Sequence, residues 1–243
     1  SAKLRLPDPT TMAGLVGAKS YKSIFVNLHD PAMLSFPNCA DSYAEWRKRE
    51  RNTSWYNETL NTSTRGAERA MPDYTVWAIA SGKDSVIVSN ALTGNMWMVW
   101  KLDQTLGTGA TDLKMLDEIL YVTSNTGGMC KYDYLSDRMY NYVTSGFIGF
   151  AGGISGRNSA PTATTLNTSP AIVNNTVNSI SVIRDPNGGI DASGRWKHRV
   201  AVATGGGVSE SDAGIANFYD SNITGSWLDA TTLGAGDIFA LNS

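Results

Sequence analysis

Short runs of β-branched and aromatic residues alternate with polar turn signals along most of the chain. Runs of about four to eight such residues, bounded by Gly, Asn, Asp or Ser, are typical of β-strands. They occur at Ile24 to Leu28, Tyr74 to Ala80, Ser85 to Ser89, Met96 to Lys101, Ile119 to Thr123, Met129 to Tyr134, Met139 to Val143, Ser179 to Arg184, Arg199 to Ala203, Gly214 to Tyr219 and Asp237 to Leu241. We therefore predict a mostly β chain of short strands.

One pattern occurs three times, at Val76 to Val88, Leu120 to Tyr132 and Val200 to Ser209. Each copy is an apolar strand, a tight turn that contains glycine, and a second strand. The offset between Gly82 and Gly127 is about 45 residues, within the length of one four-stranded propeller blade. The repeat predicts propeller-like blades, and a β-sandwich is the alternative.

Two further segments supply the first strands of the later copies. Thr111 to Val122 precedes the second copy, and Ser179 to Arg184 precedes the third. The Gly-, Ser-, Thr- and Asn-rich stretch around 146–178 predicts an inserted loop, which explains the larger offset of the third copy. The expected architecture is all-β, with about three blades in residues 71–243. Because propellers need about four to eight blades, this ring is expected to be incomplete.

Residues 1–70 do not fit the repeat and are interpreted as an N-terminal segment and linker. Within them, Asp41 to Arg51 predicts one short helix. The run Asp237 to Leu241 predicts a strand that opens a further blade. The chain begins with Ser1 rather than Met, which indicates a processed product or a fragment of a longer protein.

Charge and hydropathy exclude two classes of function. The 243 residues carry 20 basic and 22 acidic side chains, a net charge of −2, so the basic surface that nucleic-acid binding needs is not expected. No stretch approaches the roughly 18 to 20 apolar residues of a membrane span, and the N-terminus lacks the apolar core of a signal peptide. We predict neither nucleic-acid binding nor membrane insertion.

The sequence offers little catalytic chemistry. His29 and His198 are the two histidines, and neither lies in a recognisable nucleophile context. Metal-binding motifs with the spacing HExxH or of an EF-hand do not occur. Gly14 to Ser20 resembles a phosphate-binding loop, but Ala18 separates the glycine from the lysine. Several aspartates at strand ends suit turns as well as acid–base pairs, so paired-carboxylate hydrolysis stays open: Asp73, Asp84, Asp112, Asp133 and Asp137. We predict a non-enzyme with no catalytic, cofactor-binding or metal-binding residues, and the ligand-binding residues stay unidentified.

The remaining candidate features have structural interpretations beside functional ones. Cys39 and Cys130 lack metal-site spacing and are expected to be buried thiols, with a single disulfide as the alternative. The basic run from Trp46 to Arg51 is interspersed with carboxylates, which favours a solvated helix face over a phosphate site. Four aromatic residues could either stack on sugar rings or pack between blades: Trp55, Tyr56, Phe147 and Trp196. Six Asn-x-Ser/Thr triplets make glycosylation possible without requiring it.

The segments Asp112 to Tyr134, Val177 to Val182 and Val200 to Ser209 resemble propeller-type repeats in large structural proteins of tailed phages, particularly marine ones. The resemblance covers about residues 70–243 and rests on repeat texture rather than on an invariant motif. The chain departs from those repeats by its insert at Gly146 to Asn178 and by stopping within a repeat, which puts ring closure in doubt.

The resemblance implies a virion component, a tail appendage or fibre that serves assembly or host-surface attachment. The implied partners are other virion proteins, further copies of the chain and a host-surface glycan or receptor, and no cofactor is expected. Two other classes remain alternatives: a secreted carbohydrate-active propeller enzyme and a cellular protein-interaction propeller.

Overall fold

A computed structural model describes residues 15–23, 43–80, 84–102, 107, 109–150, 163–215 and 218–221. The helices in these residues are α1 (Tyr43–Glu50) and α2 (Ser54–Asn57). The strands are β1 (Leu15–Lys22), β2 (Tyr74–Ala80), β3 (Ser85–Asn90), β4 (Met96–Lys101), β5 (Ala110–Leu116), β6 (Ile119–Ser124), β7 (Gly128–Asp133), β8 (Arg138–Val143), β9 (Gly146–Phe150), β10 (Ala163–Asn167), β11 (Val177–Arg184), β12 (His198–Thr204), β13 (Gly207–Ser211) and β14 (Phe218–Ser221).

The strands form three antiparallel sheets. Sheet 1 has the order β1-β2-β3-β4, sheet 2 the order β10-β9-β8-β7-β6-β5, and sheet 3 the order β11-β12-β13-β14. Each sheet is a meander in which strands that follow one another in the order pair antiparallel. The predicted all-β architecture with about three blade-like sheets is confirmed.

Most predicted strands and the helix agree with the structure. The strands expected at Tyr74 to Ala80 and Met96 to Lys101 are β2 and β4. The expected first strand of the second copy overlaps β5, and that of the third copy lies within β11. α1 lies within the helix predicted from Asp41 to Arg51. The strands predicted at Ile24 to Leu28 and at Asp237 to Leu241 lie outside the described residues.

Three elements differ from the sequence-based expectation. β1, in the segment 1–70 interpreted as a linker, pairs with β2 and belongs to sheet 1. The stretch expected to be an inserted loop contains β9 and β10, because Phe147 and Ile148 continue the pairing of sheet 2 beyond β8. The strand predicted at Gly214 to Tyr219 is wrong at its start. Gly214 and Ile215 both have a positive φ, which places them in a turn before β14.

The three sheets share details of their strand pairing, which supports the interpretation that they are copies of one repeat. The first strand of each sheet carries a register shift near its start, after Leu15, Ala110 and Val177. The turn after β3 and the turn after β7 are built alike, because the side chains of Asn90 and Asp133 accept hydrogen bonds from backbone amides two and three residues later. This is an Asx-type turn.

Sheet 2 packs between the other two sheets. An aromatic core fills the space between sheets 1 and 2, and its members include Trp55, Trp77, Trp97, Trp100, Tyr132 and Tyr134. α2 contributes Trp55, whose indole Nε1 donates to the carbonyl of Tyr134 at 2.8 Å. A second core lies between sheets 2 and 3 and includes Tyr121, Met129, Tyr142, Val182, Val200 and Val202. Burial of these side chains is the main source of stability of the array.

The outer edge of sheet 1 is covered by the chain that follows α2. Arg65 forms an antiparallel bridge with Met98 of β4, and the amide of Gly66 donates to the carbonyl of Trp97. The guanidinium of Arg65 is buried and donates to several backbone carbonyls, among them that of Glu68. This segment prevents the free strand edge from pairing with another chain.

The array has two distinct ends. At the helix end, β5 turns into β6, β7 turns into β8, and α1 and α2 contact the sheets. At the loop end, β6 turns into β7, β8 into β9, β12 into β13, and residues 168–176 connect sheet 2 to sheet 3.

Candidate functional site

The densest cluster of buried polar groups surrounds the turn between β5 and β6. This turn has two central residues, Asp117 and Glu118, with φ values of 48° and 58°. Both side chains are almost fully buried, at 2% and 0% exposure. Left-handed backbone is unfavourable for residues other than Gly, Asn and Asp, so contacts to neighbouring sheets must compensate for this conformation.

The Asp117 carboxylate connects the turn to sheet 3. It accepts hydrogen bonds from Nε of Arg184 at 2.9 Å and from Nη2 of Arg184 at 2.5 Å. It also accepts from Nε2 of His198 at 3.1 Å. Burial alone would raise the pKa of Asp117, but the hydrogen bonds from His198 and Arg184 outweigh it and hold this pKa below its ordinary value.

His198 lies between a carboxylate and a phenol. Since Asp117 is ionised, Nε2 of His198 carries the proton that it donates to Asp117, and Nδ1 accepts from the Tyr121 hydroxyl at 2.9 Å. Burial lowers the pKa of His198 despite the nearby carboxylate, so the imidazole is neutral.

Hydrogen bonds connect Tyr121 to His198 and His198 to Asp117, which is the connectivity of an acid–base relay. Burial raises the pKa of Tyr121 well above its ordinary value. All three side chains are at most 3% exposed, so a substrate does not reach the phenol. The relay therefore stabilises the junction between sheets 2 and 3.

Glu118 connects the same turn to sheet 1. Its Oε1 accepts from the hydroxyl of Tyr21 at 3.0 Å and from the hydroxyl of Ser23 at 2.9 Å. The Tyr21 oxygen in turn accepts from the Glu118 amide at 3.0 Å. The two residues of one turn thus hold both neighbouring sheets.

Arg195 fixes the long connection between β11 and β12 against sheet 2. Its Nη1 donates to the carbonyl of Asp117 at 3.0 Å, and both Nη atoms bond the carboxylate of Asp133. Burial opposes ionisation of Asp133, but the charge of Arg195 holds its pKa below the ordinary value. We call the set of Asp117, Glu118, Asp133, Arg184, Arg195 and His198 the polar junction.

A second polar contact links the first strands of the three sheets. Asp112 on β5 lies 2.5 Å from the ammonium of Lys19 on β1. Its other oxygen accepts from the hydroxyl of Ser179 on β11 at 3.0 Å and from the amide of Ile180. Two separate carboxylate clusters on β5 and its turn therefore tie the three sheets together.

The predicted aspartates do not converge on one site. Asp112 and Asp133 lie in the two clusters described above, and Asp137 accepts from the amide and hydroxyl of Ser54 at the start of α2. Asp73 pairs with Arg47 of α1, and Asp84 is exposed at the loop end of sheet 1. The other four, Asp73, Asp112, Asp133 and Asp137, therefore order local structure.

No group of three or more His, Cys, Asp or Glu side chains that could hold a metal ion occurs in the described part of the chain. None of the helices seen there is long and apolar enough to cross a membrane. His29 and Cys39 lie outside the described residues, and Cys130 is a buried free thiol, as predicted.

The basic run from Trp46 to Arg51 was predicted to form a solvated helix face, and only part of it is exposed. Lys48 and Arg51 are exposed. Arg47 instead bonds Glu50 and Asp73, and Arg49 donates to the carbonyl of Ser193 in the connection between β11 and β12. The helix is thereby fastened to sheets 1 and 3.

Of the four candidate sugar-stacking aromatic residues, Trp55 is fully buried in the core between sheets 1 and 2. Phe147 is half-buried and packs against Tyr140 and Tyr142. Tyr56 and Trp196 are half-buried as well.

No sequence pattern predicted that Asp117, Glu118 and Arg195 belong to a site. Thr111 to Val122 was expected to supply the first strand of the second copy, whereas a hairpin turn divides that segment. The Asp-Glu pair between two apolar runs was the available signal. It is weak, because two-residue hairpin turns usually contain Asn-Gly or Asp-Gly.

Comparison with known proteins gives few likenesses. No protein-family model and no curated protein match the chain. Among solved structures, the extracellular domain of a one-component system of B. thetaiotaomicron is similar over 60% of this chain and 20% of its own, with 12% identity and a TM-score of 0.24. The extracellular domain of a hybrid two-component system from the same organism is similar over 67% and 24%, with 14% identity and a TM-score of 0.26. Likenesses at these TM-scores carry no conclusion about this chain.

Proposed function

We propose that the chain is a non-enzymatic structural component of a tailed-phage virion, a tail appendage or fibre part that works within a larger assembly. The observation that carries this proposal is the polar junction. Most of its ionisable side chains are buried and bond one another across sheets 2 and 3, and Glu118 bonds Tyr21 and Ser23 of the sheet 1 side, so they fix the arrangement of the sheets.

A rigid array suits a protein that carries load or presents a surface. Burying charges that are mutually paired is a poor way to gain stability, but it can select one arrangement of the sheets over others. Asp117 and Glu118 make that selection for both neighbours of sheet 2. The phage assignment itself is supported by the resemblance of the repeats to those of tailed-phage structural proteins.

The helix end has the chemistry of an assembly surface. Tyr74, Leu92 and Ile183 are the exposed large hydrophobic side chains in the described residues, at 37%, 46% and 37% exposure, and all three lie toward this end. Charged side chains of the basic run, Lys48 and Arg51, are exposed there as well. Exposed apolar side chains at one end of a molecule are typical of protein–protein contacts.

Co-sedimentation tests the proposal. Infected-cell lysate is separated on a density gradient, and the particle fraction is analysed by quantitative mass spectrometry. The proposal predicts the chain in intact particles at a fixed copy number, and its absence from them would overturn the assignment.

Substitutions locate the assembly surface in the same experiment. Leu92→Glu, at the helix end, is expected to lower incorporation of a plasmid-supplied tagged chain at least tenfold. Thr144→Glu, at an exposed position of the loop end, serves as the control and should be incorporated like the unsubstituted chain. Equal incorporation of both variants would contradict assembly through the helix end.

A further inference from the structure

Charge is distributed unequally between the two ends of sheets 2 and 3. At the loop end, the described turns within sheets 2 and 3 and the connection between these two sheets are residues 125–127, 144–145, 168–176 and 205–206, and these residues contain no Asp, Glu, Lys or Arg. At the helix end of the same sheets, residues 117–118, 134–137 and 185–197 contain Asp117, Glu118, Asp137, Asp185, Asp191, Arg195 and Lys197. The exposed large hydrophobic residues named above also lie toward the helix end.

The loop end of sheets 2 and 3 instead exposes side-chain amides, hydroxyl groups and the backbone of glycine residues. Asn125, Thr126, Thr144 and Ser145 are exposed, as are Gly205 and Gly206. Sheet 1 does not share this character, since Asp84 and Lys101 are exposed at its loop end. The neutral polar surface is therefore confined to sheets 2 and 3, and we call it the neutral face.

Two asparagines of the connection between sheets present their amide groups at this face. Oδ1 of Asn174 accepts from the amide of Thr176, and Oδ1 of Asn175 accepts from the amide of Thr144. These bonds fix both side chains by their oxygen atoms. In the described residues no hydrogen bond is seen for either Nδ2 group, so each is available as a double donor.

The glycine turn between β12 and β13 lies beside Asn174. A Cβ atom at Gly206 would lie 3.1 Å from Cβ and 3.4 Å from Nδ2 of Asn174. Glycine at this position therefore leaves the amide uncovered.

We propose that the neutral face binds an uncharged glycan. Sugar hydroxyls donate and accept hydrogen bonds, which matches the amides, hydroxyls and exposed backbone of this face. An anionic polymer would require basic side chains at the surface, and a protein partner would favour large apolar side chains. The proposal deepens the proposed function and rests on it, since it names the ligand class of an attachment protein.

Isosteric substitutions test the neutral face. Asn174→Asp and Asn175→Asp keep the Oδ1 acceptor of each turn, remove the Nδ2 donor and add a negative charge. Asn125→Asp is a second site at the exposed β6–β7 turn. Asn95→Asp, at an exposed turn of the helix end, is the matched control.

The full chain is applied to an array of uncharged and anionic glycans, and dissociation constants are measured by calorimetry for the best uncharged glycan. The proposal predicts binding to uncharged glycans, weakened at least tenfold by Asn174→Asp or Asn175→Asp and unchanged by Asn95→Asp. Because the Asn125 side chain is exposed, Asn125→Asp provides the test even if the other two variants fail to fold.

The inference would be overturned by no binding to any uncharged glycan, by a preference for anionic glycans, or by an equal loss of affinity in the Asn95→Asp control. Capture of a protein receptor with no glycan binding would also overturn it. These outcomes are separable from failure of the proposed function, because presence of the chain in particles is measured independently on the gradient.

Discussion

Asp117→Asn is the substitution that most directly perturbs the polar junction. Asparagine keeps the shape of the side chain and tolerates the left-handed backbone at φ 48°. It removes the negative charge that Arg184 and His198 share. The effect of the change is therefore confined to electrostatics and hydrogen bonding, without a cavity.

The expected loss follows from burial. Removing one partner of a buried ion pair costs about 3–5 kcal/mol, because the other charge stays buried and uncompensated. The side chain of Arg184 is 32% exposed, so its charge is partly rehydrated. We therefore expect the free energy of unfolding to fall by about 2–3 kcal/mol at pH 7, near the range for hydrogen bonds to charged groups.

The pH dependence of this loss has a definite sign. The pKa of Asp117 is lower in the folded protein than its unfolded value of about 3.9. The ionised Asp117 therefore stabilises the folded protein above about pH 3.9, and this contribution is lost as the pH falls through the folded pKa. The difference between the unsubstituted protein and Asp117→Asn should shrink below about pH 4.

Urea denaturation followed by tryptophan fluorescence measures these differences. Asp137→Asn is the control, because Asp137 also has a positive φ, of 55°, and accepts from Ser54 and Tyr132. These donors are uncharged hydroxyls, so the change leaves neither of them as an unpaired charge, and it should cost about 1 kcal/mol. If Asp117→Asn changed stability by less than 0.5 kcal/mol, or by no more than Asp137→Asn, the junction would not hold the sheets as argued.

Three further substitutions or treatments have expected outcomes. Burial raises the pKa of Glu50 from 4.5 to about 7, so the free energy of unfolding should decline as the pH rises from about 4.5 through 7. In urea titrations at pH 5 to 8, Glu50→Gln should remove that decline. Gly66→Ala should lower the free energy of unfolding by at least about 2 kcal/mol, because the added Cβ would lie 1.6 Å from the carbonyl oxygen of Met96. Gly205→Ala is the control: its Cβ would make only ordinary contacts, at 3.6 Å, so the thermal midpoint should stay nearly unchanged. Burial raises the pKa of the Cys130 thiol, so labelling by a thiol-specific disulfide reagent should be slow in buffer and fast in urea; rapid labelling of this position in buffer, located by mass spectrometry, would contradict the buried core.

The repeat was predictable because its signals are local. Alternation of β-branched and aromatic residues between Gly or Asn turns identifies β2, β4 and their counterparts, since each hairpin is specified by neighbours in sequence. β1 was missed because its partner β2 follows only after a helical segment, and its Gly17 and Ala18 have little strand preference. Pairing with a distant strand overrides local preference.

The polar junction could not be predicted for a related reason. Asp117 bonds residues that are 67 and 81 positions away, and Arg195 bonds Asp133 over 62 positions. Such contacts depend on how the sheets stack, and no spacing in the sequence encodes that. The sequence could show that an Asp-Glu pair lies between two apolar runs, but not that it is buried.

Immunoelectron microscopy of gradient-purified particles shows directly whether the chain is a tail component. Antibodies raised against the folded chain are applied to intact particles, and antibodies pre-absorbed with the chain serve as the control. We expect gold label at the tail or its appendages on most particles, and we expect pre-absorption to remove it. Unlabelled particles, with the chain recovered only as free protein from the lysate, would contradict this expectation.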